Sequence, residues 1–355
     1  MSPPVSRRIL AIRPRALGDV VLVTPALRAL QRGHPEATLE VLTEARYAPL
    51  VEGLAGVERV WTLERTTSAT LRLIAKLRAR RFELTVDFFG NPRTALIASR
   101  SGARRTAGYE LRGRGGAYQV RVPRTLATID GEGVRHREYA AATHLRLALA
   151  VGGIADGLEA RIALSPVGEA AALGLLARAG VRQPARTVGL IAAGTWATKT
   201  WPAVNAGRLA RALTASGREV LVLAGPGEDD VVESVRRHAG AIAVLPPCGV
   251  AELASVIRRL GAVVGTDSGP IHLAGACGVP TFAWFGPTHP ETWTPPGERH
   301  AHWWTSLPCR GCDRTACPHW NCMPQLSAPD AAARVLNHLE RHGRTVGHLR
   351  PAAGA

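Results

Sequence analysis

A chain of 355 residues with 46% hydrophobic residues and a formal net charge of +16 is long enough for two ordinary domains, each with its own core. No apolar run reaches the roughly 18 to 20 residues needed to span a bilayer, and Met1 to Arg8 offers charge and prolines without a signal-like apolar region, so a cytoplasmic protein is expected. The cations are 42 Arg and only two Lys, Lys76 and Lys199; they fit an anionic lipid or phosphorylated glycan, whereas the aromatics do not interleave with the basic clusters and no nucleic-acid partner is expected.

In chain order, residues 8–13 read as a strand and 18–33 as a helix, with Asp19 at the helix start. A carboxylate there complements the helix dipole, and it also stands where a general base would. Further strands are predicted at 38–43, 58–63 and 83–88, with amphipathic helical segments between them. Leu71, Ile74, Ala75 and Leu77 make one helical stripe, with Arg72, Lys76, Arg78 and Arg80 opposite. Such alternation implies a parallel sheet covered on both faces. Gly152 to Gly157 reads as a linker, after which strands are predicted at 187–193, 219–224, 241–245, 262–265 and 280–284. The expected architecture is α/β, two Rossmann-like domains facing a cleft. Residues 1–155 are expected to form the first, acceptor-binding domain, 156–327 the second, donor-binding domain, and 328–355 a final helix and tail that packs back toward the first domain.

In such sheets, ligands bind beyond the carboxyl ends of the strands, and the polar clusters fall there. The most informative is Gly265-Thr266-Asp267-Ser268-Gly269-Pro270-Ile271-His272. It reads as a strand entering a helix capped by Ser268 or Gly269, whose free N–H groups suit phosphate. Asp267 would repel phosphate but suits sugar hydroxyls, so the pair points to a nucleotide sugar. Lys199, in Gly194-Thr195-Trp196-Ala197-Thr198-Lys199-Thr200-Trp201-Pro202, is one of two lysines among 44 cations, and a compact point charge suits phosphate. The turn Gly225-Pro226-Gly227-Glu228 follows a strand and admits close approach of a ligand.

Cys309, Cys312, Cys317 and Cys322 are spaced like thiolate ligands, which suggests a structural zinc or iron site that staples a loop, with His319 as a substitute ligand. Cys248 and Cys277 lie in apolar segments and are expected to be buried.

Leu17-Gly18-Asp19-Val20-Val21 with Thr24-Pro25-Ala26-Leu27, the Gly194 to Pro202 segment, Gly225 to Glu228, Thr266 to Ala274 and Phe285-Gly286-Pro287-Thr288 together resemble the lipopolysaccharide heptosyltransferases of glycosyltransferase family 9. The resemblance is nearest to a subset of second-heptose enzymes with a C-terminal cysteine cluster. It implies a GT-B fold and an inverting transfer of heptose from ADP-heptose to an anionic, lipid-linked inner-core acceptor, with no catalytic metal. It assigns Asp19 as general base and Lys199 to the departing diphosphate, with Thr195 beside it. Glu228 would hold the ribose, Asp267 the heptose hydroxyls, Ser268 and Gly269 the phosphate, with His272 nearby. Arg13 and Arg15 would face the acceptor, and the basic surface would bring the enzyme to the cytoplasmic face of the inner membrane. His289 and the Arg15-Ala16 pair depart from the usual pattern. The rival expectations are transfer of another nucleotide sugar, including to a protein acceptor, or a non-catalytic nucleotide-sugar-binding protein.

Overall fold

The computed structural model describes residues 7–129 and 135–343. The chain divides into two compact units, Met1–Ala163 and Leu164–Ala355. The first holds strands β1 (Arg7–Ile12), β2 (Ala37–Thr43), β3 (Val57–Thr62), β4 (Leu84–Asp87), β5 (Arg105–Glu110) and β6 (Val120–Pro123) in one sheet. A short hairpin, β7 (Ala127–Ile129) and β8 (Arg135–Arg137), stands apart. Its helices are α1 (Leu17–Leu22), α2 (Thr24–Gly33), α3 (Thr67–Ala79), α4 (Pro92–Arg100) and α5 (Ala140–Leu149).

The second unit repeats the plan. Its sheet contains β9 (Thr187–Ile191), β10 (Glu219–Val222), β11 (Ala243–Val244), β12 (Ala262–Thr266), β13 (Thr281–Phe285) and β14 (His300–Trp304). The helices are α6 (Pro166–Arg178), α7 (Ala203–Ala215), α8 (Asp229–Ala239), α9 (Val250–Arg259), α10 (Gly269–Ala276), α11 (Pro290–Trp293) and α12 (Ala328–His342).

Both sheets are parallel, ordered β3-β2-β1-β4-β5-β6 and β11-β10-β9-β12-β13-β14. This is the doubly wound order, in which the chain reverses direction of travel between the first and fourth strands of the sheet and leaves a crevice at their carboxyl ends. Near-continuous apolar strands such as Thr187–Ile191 and Thr281–Phe285, buried at every position, are what a sheet covered on both faces requires.

The helix expected over 18–33 is two helices broken at Val23. Pro25 has no N–H to continue the first helix, and Thr24 Oγ1 donates to the Val21 carbonyl at 2.8 Å, closing it. In the second unit α7 packs on α8 and α12, and Val335 and Leu339 of α12 join the core around Trp201 and Trp284. Cys277 is buried as expected, but Cys248 is exposed, because it lies in the turn between β11 and α9 rather than in either element. Among the described residues no helix is long and apolar enough to cross a membrane.

Candidate active site

In the first unit the crevice lies where β1 and β4 end, and the register sets Ile12 beside Asp87. Asp19 stands in the first turn of α1, directly after β1, and its Oδ2 accepts the Ala16 N–H at 3.3 Å. Arg13 makes an ion pair with Asp19, donates to the Phe88 carbonyl and lies 5.1 Å over the Phe89 ring. It is only 2% exposed. The guanidinium therefore fixes the carboxylate from beneath, while Arg15 is the exposed one, its charge 6.0 Å from the same ring and 4.0 Å from Glu44.

The loop carrying Phe89 is held by Asp87. That carboxylate accepts the N–H groups of Phe89 and Gly90 at 2.9 and 3.0 Å and the Tyr118 hydroxyl at 2.6 Å. Burial pushes its carboxyl up, partly offset by these donors. Arg124 donates to the Phe89 carbonyl at 2.7 Å, with its charge 5.2 Å over the Tyr109 ring. Tyr109 in turn shares a 2.6 Å hydrogen bond with His144, whose basicity burial pushes well down. Asp87, Phe89 and Arg124 went unnoticed in the sequence, although an acid at the end of a predicted strand, followed by two aromatics and glycine, was a visible signal.

The second unit gathers a denser set where β9, β12 and β13 end. Lys199 Nζ donates to Asp267 Oδ2 at 2.6 Å, and Thr288 Oγ1 donates to the same oxygen at 2.7 Å. His272 Nε2 stands 3.8 Å from the other oxygen. The ammonium also lies 4.6 Å over the Trp196 ring and 5.7 Å over the Trp293 ring, and Trp293 touches His272. Asp267 is 2% exposed and Lys199 largely buried. The Thr266 hydroxyl donates to the Lys199 carbonyl and so ties the two loops together.

Ser268 precedes α10 as its N-cap, Gly269 is its first residue and Pro270 occupies the first turn. The Ser268 hydroxyl oxygen is buried without a hydrogen-bond partner at a helix start that no side chain caps; Pro270 has no N–H there and the Ile271 N–H donates to the Ser268 carbonyl at 3.1 Å, which leaves the Ser268 and Gly269 N–H groups for a ligand. Such a site suits an anion. Thr195 is exposed on the turn after β9. Glu228 precedes α8 and folds back to accept the Gly225 N–H at 2.8 Å, shaping that turn; it makes no contact with the Lys199 group among the described hydrogen bonds and ion pairs. The structure thus brings together Lys199, Asp267 and His272, and separately Arg13 and Asp19. Thr288, Trp196 and Trp293 joined the former only through the fold, though Trp196 and Thr288 lay inside segments already singled out. His289 packs its ring edge-on against the Trp304 ring, 4.5 Å away.

At Cys309, Cys312, Cys317 and Cys322, where a metal is expected, no group of three or more His, Cys, Asp or Glu among the described residues is placed to hold an ion, although Cys309 and Cys312 lie near enough to Cys322 to help raise its thiol's pKa. The segment is tethered locally. Gly311 and Asp313 donate to the Gly286 and Pro287 carbonyls at 3.1 and 2.7 Å, the Arg314 carbonyl accepts from Thr198 at 2.8 Å, and Trp320 Nε1 donates to the Thr198 carbonyl at 3.2 Å. Cys322 packs against Gly286, where an added Cβ would lie 2.8 Å from its sulfur. Cys317 accepts from the Trp320 N–H, and the backbone donors from Trp320 and His319 hold its thiol below the ordinary range. The segment therefore braces the loops that carry Lys199 and Thr288.

Comparison with known proteins identifies the family and the fold. The profile of Glycosyltransferase family 9 (heptosyltransferase) matches residues 70–322. Lipopolysaccharide heptosyltransferase 3 of Escherichia coli is 24% identical over 302 residues, covering 81% of this chain and 86% of its own. A glycosyl transferase family 9 structure from Veillonella parvula superposes with a TM-score of 0.78 at 17% identity, covering 94% of this chain and 96% of its own. The E. coli ADP-heptose lps heptosyltransferase II gives 0.75 at 17% identity, covering 94% and 99%. These superpositions show a shared GT-B fold, and with the profile spanning most of the sequence the chain belongs to glycosyltransferase family 9, the heptosyltransferases, and is a glycosyltransferase.

Proposed function

We propose that this enzyme transfers heptose from ADP-heptose to an anionic lipopolysaccharide inner-core acceptor, by single displacement with inversion and without a catalytic metal. The observation that carries the reading is the Lys199–Asp267–Thr288 cluster beside the unpartnered Ser268 hydroxyl. It offers one cation and several donors to a diphosphate, and one carboxylate to sugar hydroxyls. The donor itself is read from the solved E. coli relative, which is named for ADP-heptose.

In this mechanism Asp19 accepts the proton of an acceptor hydroxyl as its oxygen attacks the anomeric carbon. The bond from that carbon to the diphosphate oxygen breaks on the opposite side, which inverts the centre. Lys199 exchanges its contact with Asp267 for the leaving diphosphate, and the Ser268 and Gly269 N–H groups at the start of α10 share the growing negative charge. Such fixed donors take the part a divalent ion plays elsewhere. Thr195 adds a hydroxyl to the same phosphates, and Glu228 holds the ribose. Arg13 orients Asp19 from below, while Arg15 remains open to an anionic acceptor.

Calorimetry without added Mg²⁺ tests the donor. ADP-heptose should bind in preference to UDP-glucose and GDP-mannose, and Lys199→Ala should weaken ADP at least about tenfold, since a hydrogen bond to a charged group contributes roughly 1.5 to 3 kcal/mol. Preference for another nucleotide sugar would keep the transferase and remove heptose. Undiminished ADP binding by the variant would remove Lys199 from the phosphate.

A further inference from the structure

The positive charge of this chain is concentrated. Residues 64–126 carry fourteen Arg or Lys and four Asp or Glu, which is ten of the sixteen net positive charges. Helices α3 and α4 of that segment run side by side. At their starts Arg93 of α4 donates to Thr70 Oγ1 at 2.9 Å and to the Thr66 carbonyl at 3.1 Å. At their far ends a Cβ built on Gly102 would sit 3.4 Å from Arg78. Their inner faces, Leu73, Ile74 and Leu77 with Ala95, Ile97 and Ala98, fill one core.

The outer face is unusual for a solvated surface. Arg72, Lys76, Arg78 and Arg100 stand on it, and among the described residues none of the four enters an ion pair. Between them are two leucines, Leu71 at 59% and Leu96 at 42% exposure. Leu96 also walls a hollow of about 300 Å³ between α4 and the turn at Gly115–Ala117, with Arg114 on its rim. Unpaired cations alone fit any polyanion. Leucines held among them fit one that has an apolar layer just beneath its charge.

We propose that the α3–α4 face docks this enzyme on an anionic lipid bilayer, with Leu71 and Leu96 entering the acyl boundary and the cations meeting headgroup phosphates. Nucleic acid would use the charge but not the leucines, and neither helix carries an aromatic side chain for base stacking. Another exposed apolar pair, Val167 and Leu173 of α6, is the weaker candidate, because the arginines of that unit near it are already paired: Arg259 with Glu169 and Arg182 with Glu219. With no spanning helix among the described residues, the contact made by this face is peripheral. It places the first unit at the surface that holds a lipid-linked acceptor, and it stands or falls independently of the donor.

The test is co-sedimentation of the full chain with phosphatidylcholine vesicles, with and without about 30% phosphatidylglycerol. Binding should require the anionic lipid and weaken with salt. Arg72→Gln, Lys76→Gln and Arg78→Gln together should lower the partition about 100-fold, from about fivefold per cation near the surface. Leu71→Ser with Leu96→Ser should weaken it further at high salt, where Val167→Ser with Leu173→Ser has no effect. Circular dichroism and ADP-heptose affinity, unchanged in all three variants, separate loss of docking from loss of fold. Wild-type partition in the triple variant, equal binding to neutral vesicles, or dependence on the α6 pair would overturn the proposal. So would duplex DNA binding that ignores the leucine pair while vesicles are not bound. A chain that binds vesicles but not ADP-heptose would leave the docking face standing and remove only the donor reading.

Discussion

Lys199 and Asp267 form a largely buried ion pair, and burial of two charges repays itself only when further donors satisfy the carboxylate. Thr288 supplies one, and the rings of Trp196 and Trp293 supply negative faces to the ammonium. The pair is therefore poised: an incoming diphosphate can take the lysine while Asp267 keeps Thr288. Asp19 has a different setting, partly open to solvent and fixed by a buried arginine. Asp19→Asn retains the shape and loses the base. Turnover should fall by about 10² to 10⁴, the range for a positioned general base, with ADP-heptose affinity nearly unchanged. Steady-state rates beside calorimetry would show it, and unaltered turnover would remove Asp19 from the proton transfer.

Among the elements, β12 explains why the site has its depth. Gly265 lies so close to β9 that an added Cβ would meet the Ile191 carbonyl oxygen at 2.4 Å and its side chain at 2.6 Å. Gly265→Ala must push the strands apart just before Asp267, and overpacking of this kind typically costs about 1 to 3 kcal/mol. The displacement reaches the Lys199 contact, so the variant should lose both thermal stability and ADP affinity. At the other end of the second unit, α12 is seated by Val335 and Leu339 in the core beneath Trp201, whose Nε1 donates to the Leu326 carbonyl at 2.9 Å. Leu339→Ala should cost about 2 to 5 kcal/mol in denaturant titration, because it opens a cavity in a closed core. A surface helix would lose far less.

Over the whole molecule, several histidines are packed in neutral form. Burial lowers the pKa of His144 well below its usual value, that of His300 to about 4, and those of His302 and His338 below the ordinary range. The unfolded chain takes up these protons near pH 6.5 and the folded chain resists, so stability falls as pH drops from about 6.5 towards 4. Asp87 acts in the opposite sense, since its raised pKa returns stability as it protonates. With four histidines against one such acid, the melting temperature should be lower at pH 5 than at pH 7. His300 shares a 2.9 Å hydrogen bond with Thr281, and His300→Gln should narrow the difference between the two pH values. An unchanged difference would show that His300 is not among the groups responsible.

The sequence by itself determined the alternating elements, the two-unit plan and most chemical groups of the second unit. Strand and helix periods, glycine turns and the rarity of lysine are local properties that survive without any knowledge of packing. It was silent on β5, β6 and β14, whose polar or histidine-bearing residues break the apolar run a buried strand displays. It also could not show that Arg13 is spent on Asp19, that Asp87 holds the loop beneath both arginines, or that Trp293 closes over Lys199. Nor could cysteine spacing reveal that the Cys309 to Cys322 segment is tied to Gly286, Pro287 and Thr198. Those outcomes belong to tertiary structure, because each depends on which distant backbone groups compete for the same side chain once the sheets have formed.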